Sequence, residues 1–235
     1  DQKSYFTGLT WNYSLPRGLF SMTLGRTWTR FSTSQTDSLL QPIYDNRSEE
    51  GDNSLRTELG WQFSPQLHVT FGNTLRYAGQ LEYDVQLAGS VRTDSLGQPA
   101  PLSIDTSFTA LRNATYVQAE AFAGSVRFTA GLRGDWYDFL HAFRVSPRLG
   151  VNIPAGPSAS VNLSVGQYYQ APSFIWLVGD PGNSDRLAPI RANVAVAGYE
   201  RRLASDLTGR VEGYYKSYQD YAARLFRPQA VLQPT

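Results

Sequence analysis

Between Leu55 and Phe63 the side chains alternate without a break, Leu55, Thr57, Leu59, Trp61 and Phe63 on one face and Arg56, Glu58, Gly60 and Gln62 on the other. An extended chain sends successive side chains to opposite sides, so every charge in this stretch lies on one side. The pattern returns in Val126, Phe128, Ala130, Leu132 and Trp136 against Arg127, Thr129, Arg133 and Asp135, and again where Leu207, Val211 and Tyr215 oppose Arg210, Glu212 and Lys216. No apolar stripe recurs at helical spacing, and the chain reads as all-β. Its composition suits a sheet with one greasy and one wet face, because only 17% of residues are charged while 13% are aromatic.

Seven further segments run near Tyr5 to Tyr13, Leu19 to Phe31, Leu67 to Tyr77, Ala114 to Phe122, Val145 to Ile153, Val161 to Tyr169 and Ala192 to Arg201. With the three above they make about ten strands. Most are long enough to cross a bilayer, which takes roughly 9 to 11 tilted residues. Short connections alternate with long ones. Leu15 to Gly18, Ser64 to Gln66, Ala123 to Ser125, Pro154 to Ser158 and Ala204 to Asp206 are tight turns rich in Gly, Pro, Ser and Asp, whereas Ser32 to Ser54, Ala78 to Ser107, Tyr137 to Arg144 and Ala171 to Arg191 are expected to be long polar loops. In a meander all the short turns fall at one rim and all the long loops at the other. That sidedness belongs to an antiparallel up-and-down transmembrane β-barrel segment, with short periplasmic turns and long extracellular loops. A soluble sandwich needs neither such long strands nor Trp11, Tyr13, Trp28, Trp61, Tyr77 and Trp136 near strand ends.

The longest strongly apolar run, Phe174 to Val178, is far short of the roughly 18 residues of a membrane-spanning helix. A net charge of +1 gives no field that favours nucleic acid, and the lack of cysteine removes disulfides and thiolate chemistry. No signal peptide opens the chain at Asp1, so it reads as cut from something longer.

From Val145 to Tyr221 the chain resembles the barrel domain of TonB-dependent receptors. Ser146-Pro147-Arg148-Leu149-Gly150 resembles a strand opening of that family, and Val161 to Phe174 resembles its glycine, aromatic and Arg-Ala-Pro-Ser stretch, with Gln170 where arginine is common. Arg210 to Asp220 is similar to its strand ending in Tyr-Tyr and a charged tail. Asn183 to Arg191 matches only at Leu187 and Pro189, and the first 140 residues match only in pattern. The resemblance implies that residues 1–235 are part of one outer-membrane β-barrel domain of a Gram-negative-type bacterium, with neither plug domain nor C-terminal closing strand, since the chain stops at Gln233-Pro234-Thr235 in what reads as a loop. It further implies outer-membrane lipid around the barrel, a plug and TonB as partners in the parent protein, and a small solute ligand. No cofactor or nucleic acid is expected.

The wet face would line the lumen with Arg56, Glu58, Arg76, Glu120, Arg127, Arg133, Arg148, Arg210 and Glu212, whose first expected role is to bond one another and the plug. Arg26 breaks the rule by sharing a face with Phe20, Met22, Leu24 and Trp28, and either a place above the bilayer or a bulge would account for it. Tyr168, Tyr169, Phe174 and Trp176 set aromatics beside a loop, suited to a flat or sugar-like ligand or to an interfacial belt. The acid-rich Asp45 to Asn53 has oxygen ligands for a hard cation but not the spacing of a calcium loop, and a solvated loop is the simpler reading. His68 and His141 fall on opposite rims, so no metal site is expected. Arg133-Gly134-Asp135 spells an adhesion tripeptide inside a strand and carries no weight.

The leading function is therefore a fragment of a TonB-dependent receptor for active uptake of a scarce solute of the siderophore, vitamin or glycan class, with no catalytic residues. Two alternatives stand beside it. A complete ten-stranded barrel would act as a protease if His141 met Asp135, Asp138 or Asp45 at the extracellular rim. A passive porin is the other.

Overall fold

The computed structural model describes residues 1–93, 98–179 and 182–222. Ten antiparallel strands form one sheet in chain order, each hydrogen-bonded to its sequence neighbours. They are β1 (Gln2–Leu15), β2 (Gly18–Thr36), β3 (Pro42–Ser64), β4 (Leu67–Thr93), β5 (Pro99–Ala123), β6 (Val126–Tyr137), β7 (Ala142–Pro154), β8 (Ala159–Gln170), β9 (Ile190–Arg202) and β10 (Thr208–Gln219). A 3₁₀ turn, Asp138–Leu140, joins β6 to β7, and two short helices, α1 (Phe174–Val178) and α2 (Asn183–Arg186), lie between β8 and β9. The tail read as a loop at Gln233 to Thr235 lies outside the described residues.

The short turns are tight because the strands run to within a few residues of one another. Between β5 and β6 the turn holds only Gly124 and Ser125, and Gly124 has a φ of +60°, which a II′ hairpin turn demands and which costs glycine nothing. Gly156, at φ +86°, does the same in the turn after β7.

Residues directly opposite in an antiparallel pair share a face, so the register sorts the sheet. Leu9, Leu24, Leu55 and Leu75 line up across β1 to β4, and Ala119, Ala130, Leu149, Val165 and Ala195 across β5 to β9. This outer face stays bare: Leu132, Leu149 and Val165 are 50%, 59% and 54% exposed although they lie on central strands. Water does not tolerate so continuous an apolar surface, and hydrocarbon does. Aromatics close the band at both ends. Tyr5 stacks on Trp28 with ring centroids 5.7 Å apart, and Trp11 packs at 6.0 Å from Tyr13 near the opposite rim. Tyr5 and Tyr13 are separated by roughly 26 Å of strand, the order of the ~25 Å apolar band of an outer-membrane barrel. Register is unbroken through Arg26 in both its pairings, so no bulge explains its place on the outer face.

The expected loops Ser32 to Ser54 and Ala78 to Ser107 turn out largely to be strand. β3, β4 and β5 continue well past the aromatic belt as a tall ladder. In β4 the phase changes at a β-bulge: Asp52 opposes Ala78 and Gly51 opposes Gln80, so Gly79 is extra in β4. On the other side Gly79 and Gln80 together oppose Thr109. One inserted residue flips the side chains that follow it. Below the bulge Phe71, Leu75 and Tyr77 point outward; above it Leu81, Tyr83 and Val85 point inward, while Glu82 and Asp84 turn out.

That inversion creates a second core outside the membrane. Ala78, Leu81, Tyr83, Val85, Ile104 and Ala110 are buried against Phe174 and Leu177 of α1. Phe108 and Phe139 meet Phe174 edge-on at 5.7 and 5.1 Å. The apolar run Phe174 to Val178 is thus a short helix that folds onto the ladder through Phe174 and Leu177. Deleting Gly79 restores simple alternation and turns Leu81, Tyr83 and Val85 outward. The expected outcome is that protease cleaves the ladder above the belt on intact cells, while the barrel keeps its heat-modifiable shift on a gel; an uncleaved ladder would refute the role of the bulge.

Candidate functional site

At the level of the bulge the inner face carries two arginines side by side, Arg76 opposite Arg112. Arg112 is held from above, its guanidinium 4.5 Å from the ring centre of Phe174 and 5.3 Å from that of Phe139. Burial raises the Asp52 carboxyl above its usual range, and the attraction of Arg76 and Arg112 offsets this only in part. Over this group opens a cleft of about 490 Å³. Its walls are Glu50 and Leu81 on the ladder, Phe174 and Trp176 on α1, and Tyr218 and Tyr221 from the end of β10. Glu50 accepts a hydrogen bond of 2.5 Å from the Tyr83 phenol. Burial first, and that bond second, push the Tyr83 hydroxyl far above the usual phenol range, so it stays a neutral donor. The cleft combines cationic, anionic and aromatic groups at the rim where the long connections lie, which suits a polar ligand with flat apolar parts.

Of the four aromatics expected to bind ligand, the fold brings two together. Phe174 is 7% exposed, spent on the core, and Trp176, 43% exposed, presents its ring to the cleft. Tyr168 lies on the inner face under the Arg148 guanidinium, 4.5 Å from it, and opposes Ala192. Tyr169 points the other way, opposing Arg191 on the outer face and donating to Gln167 Oε1 at 3.2 Å. Glu50 and Asp52 entered the sequence reading only within the acid-rich stretch and Tyr218 only within the family motif, and Arg112 was not singled out. For Arg112 the signal existed: it sits in phase with Ala114, Tyr116 and Glu120, two residues before the strand was read to begin.

The nine charged residues expected to face the lumen share the inner face by register. Three pairs bond along their own strands, two residues apart. Arg56 bonds Glu58 at 2.8 Å, Arg210 bonds Glu212 at 2.5 Å, and Arg133 grips Asp135 through three contacts of 2.7, 2.9 and 3.1 Å. Tyr116 also donates to Glu58, and Gln118 donates to Glu120 at 3.3 Å. Exposed pairs of this kind add little stability each. The Arg133 pair differs because Asp135 is buried. Among the described residues, Arg76, Arg127 and Arg148 have no carboxylate within ion-pair reach.

The acid-rich Asp45 to Asn53 is strand, so its acids diverge. Asp45 pairs with Arg47 at 3.2 Å and Glu49 with Arg30 at 3.4 Å on the outer side, whereas Glu50 and Asp52 face inward. Among the described residues no three acids or histidines converge as metal ligands. His68 lies near a short turn within reach of Thr70, at 3.3 Å, and His141 closes the 3₁₀ turn in the left-handed region.

Replacing Arg133 by Gln strands the Asp135 carboxylate, and the expected loss is about 1–3 kcal/mol. Urea unfolding of the detergent-solubilised full-length protein measures it. The double variant Arg133→Gln, Asp135→Asn should recover part of the loss, and an equal loss in both would contradict the pairing.

The family model "TonB dependent receptor-like, beta-barrel" matches residues 1–234. No curated protein matches by sequence. Among solved structures, a mutant of the ferric enterobactin receptor (PfeA) of Pseudomonas aeruginosa superposes with a TM-score of 0.74 at 14% identity, over 93% of this chain and 35% of that one. The copper transporter OprC gives 0.72 at 12% identity, over 94% and 39%. The outer-membrane transporter YddB of Escherichia coli gives 0.63 at 14% identity, over 97% and 36%. The chain thus spans little more than a third of the length of these transporters, and at such identities the likeness is one of fold. The family match over nearly every residue, on a sheet with one apolar and one charged face, leads to one conclusion: this chain belongs to the TonB-dependent receptor β-barrel family.

Proposed function

We propose that this chain is part of the wall of an outer-membrane receptor that captures a scarce solute outside a Gram-negative cell and passes it inward with energy delivered through TonB. The observation that carries the reading is the family match along residues 1–234. Supporting it is the cleft at the extracellular rim, where Arg76, Arg112, Asp52 and Trp176 converge. The solute is of the siderophore, vitamin or glycan class, and among the neighbours the ferric enterobactin receptor supports the first of these, whereas the copper transporter has a metal as its cargo.

In this mechanism a solute settles in the cleft and meets the exposed ring of Trp176 and the Arg76 and Arg112 pair. The arginines without carboxylate partners, Arg76, Arg127 and Arg148, face the interior and supply donors for a plug domain of the parent protein. TonB acts on that plug, and the wall itself does no chemistry. Of the three acids open to the protease reading, Asp135 is held by Arg133 and Asp45 by Arg47, which weighs against it. A passive porin differs in one respect, since its flux needs no energy.

Uptake by the full-length protein, expressed in a host deprived of its own receptors, separates these readings. Accumulation of labelled solutes is expected to cease when TonB is deleted or the proton gradient is collapsed, and Trp176→Ala is expected to raise the half-saturating concentration about tenfold, the scale of losing one aromatic contact. Flux that persists without TonB would overturn the proposal.

A further inference from the structure

Arg26 stands on the outer face of β2, beside Thr7 of β1 and Asn53 of β3. Its guanidinium is aimed rather than free. Nε donates to the Tyr5 phenol oxygen at 3.0 Å and Nη1 to Asn53 Oδ1 at 3.0 Å. Both partners are neutral, and among the described residues no carboxylate pairs with Arg26. A guanidinium on a lipid-facing surface needs an anion or water to meet it. Arg26, Thr7 and Asn53 line one end of an apolar groove of about 510 Å³ that runs along Leu9, Leu24, Leu55 and Leu75 towards the bilayer centre, with Tyr77 beside it at the level of Arg26.

The groove exists because Thr7 and Asn53 are short between taller neighbours. The Tyr5 and Trp28 stack stands above them and a row of leucines below. That stack belongs to the aromatic belt, so Arg26 sits where acyl chains give way to headgroups. One step further out, Lys3 opposes Arg30 on the same face. Arg30 is shared with Glu49 at 3.4 Å, whereas Lys3 has no carboxylate partner among the described residues.

We infer that this groove binds an anionic, phosphate-bearing lipid of the outer leaflet. One acyl chain lies along the leucines, the phosphate accepts from the Arg26 guanidinium, and Lys3 adds a second positive charge above it. Charge complementarity selects this occupant. A neutral lipid fills the groove but leaves Arg26 unmet. A second copy of the chain brings no counter-ion, because among the described residues the outer face between the two belts carries no carboxylate. Lipid retention can be measured whether or not a solute is transported, so the inference stands apart from the receptor proposal.

The test is lipid retention by the purified full-length protein, folding being checked by the heat-modifiable gel shift. Lipid A and enzymatically dephosphorylated lipid A are offered in nanodiscs, and bound lipid is counted by native mass spectrometry. The wild type is expected to retain lipid A at least fivefold better than its dephosphorylated form, about the preference that one basic side chain gives for an anionic headgroup. Arg26→Gln should remove that preference and Arg26→Lys keep part of it. Leu55→Trp, which fills the groove, should lower retention of both lipids. Equal retention of the two lipids by the wild type, an unaltered preference in Arg26→Gln, or a second protein copy found on the groove would each overturn the inference.

Discussion

In hydrocarbon a backbone amide has no water to bond, so each N–H and C=O of a lipid-facing strand must find its partner in the neighbouring strand. Everything else in this molecule follows from that requirement. The ladder from β5 to β6 runs in unbroken pairs from Arg112 opposite Tyr137 to Ala123 opposite Val126, and so does that from β1 to β2. Once the pairs are set, parity alone decides which side chains meet lipid. The outer face adds cross-strand contacts such as the Tyr5 and Trp28 stack. It makes the surrounding hydrocarbon the only comfortable solvent for Leu132, Leu149 and Val165.

The same rule explains why the membrane-crossing part was legible in the sequence. Within that part the greasy face is outside, charges are inside, and alternation from Leu55 to Phe63 reports both. Past the belt the solvents exchange places. Water lies outside the tall ladder and a small dry core inside it, so Glu82 and Asp84 look outward and Leu81 and Tyr83 inward. A reader of period two sees apolar odd positions continue from Phe71 to Val85 and cannot know that Gly79 has shifted the phase. Composition misleads as well, because Asp45 to Asn53 is polar enough to pass for loop although it pairs residue by residue with β2 and β4.

The site was legible only in pieces. Trp176 and Phe174 drew notice as aromatics beside a loop, and Arg76 as a charge in phase with the lumen. That they meet Arg112, Asp52 and Tyr218 depends on a helix folding back over β4 and on strands far apart in the chain, and no local spacing encodes either. Tyr168 and Tyr169 show the limit of reading by type, since adjacent residues on a strand cannot serve one pocket. Ser146-Pro147-Arg148 is a family motif with a visible physical use: Ser146 is fully buried, and Arg148 lies over the ring of Tyr168 on the adjacent strand.

The extra residue at Gly79 also bears on how such a wall can diversify. Because the phase is reset at one point, the outer ladder is mechanically modular. Changes of even length beyond it conserve their own inside and outside, and the transmembrane register beneath never has to respond. A lineage can therefore rework the upper storey of the protein while inheriting the anchored storey intact.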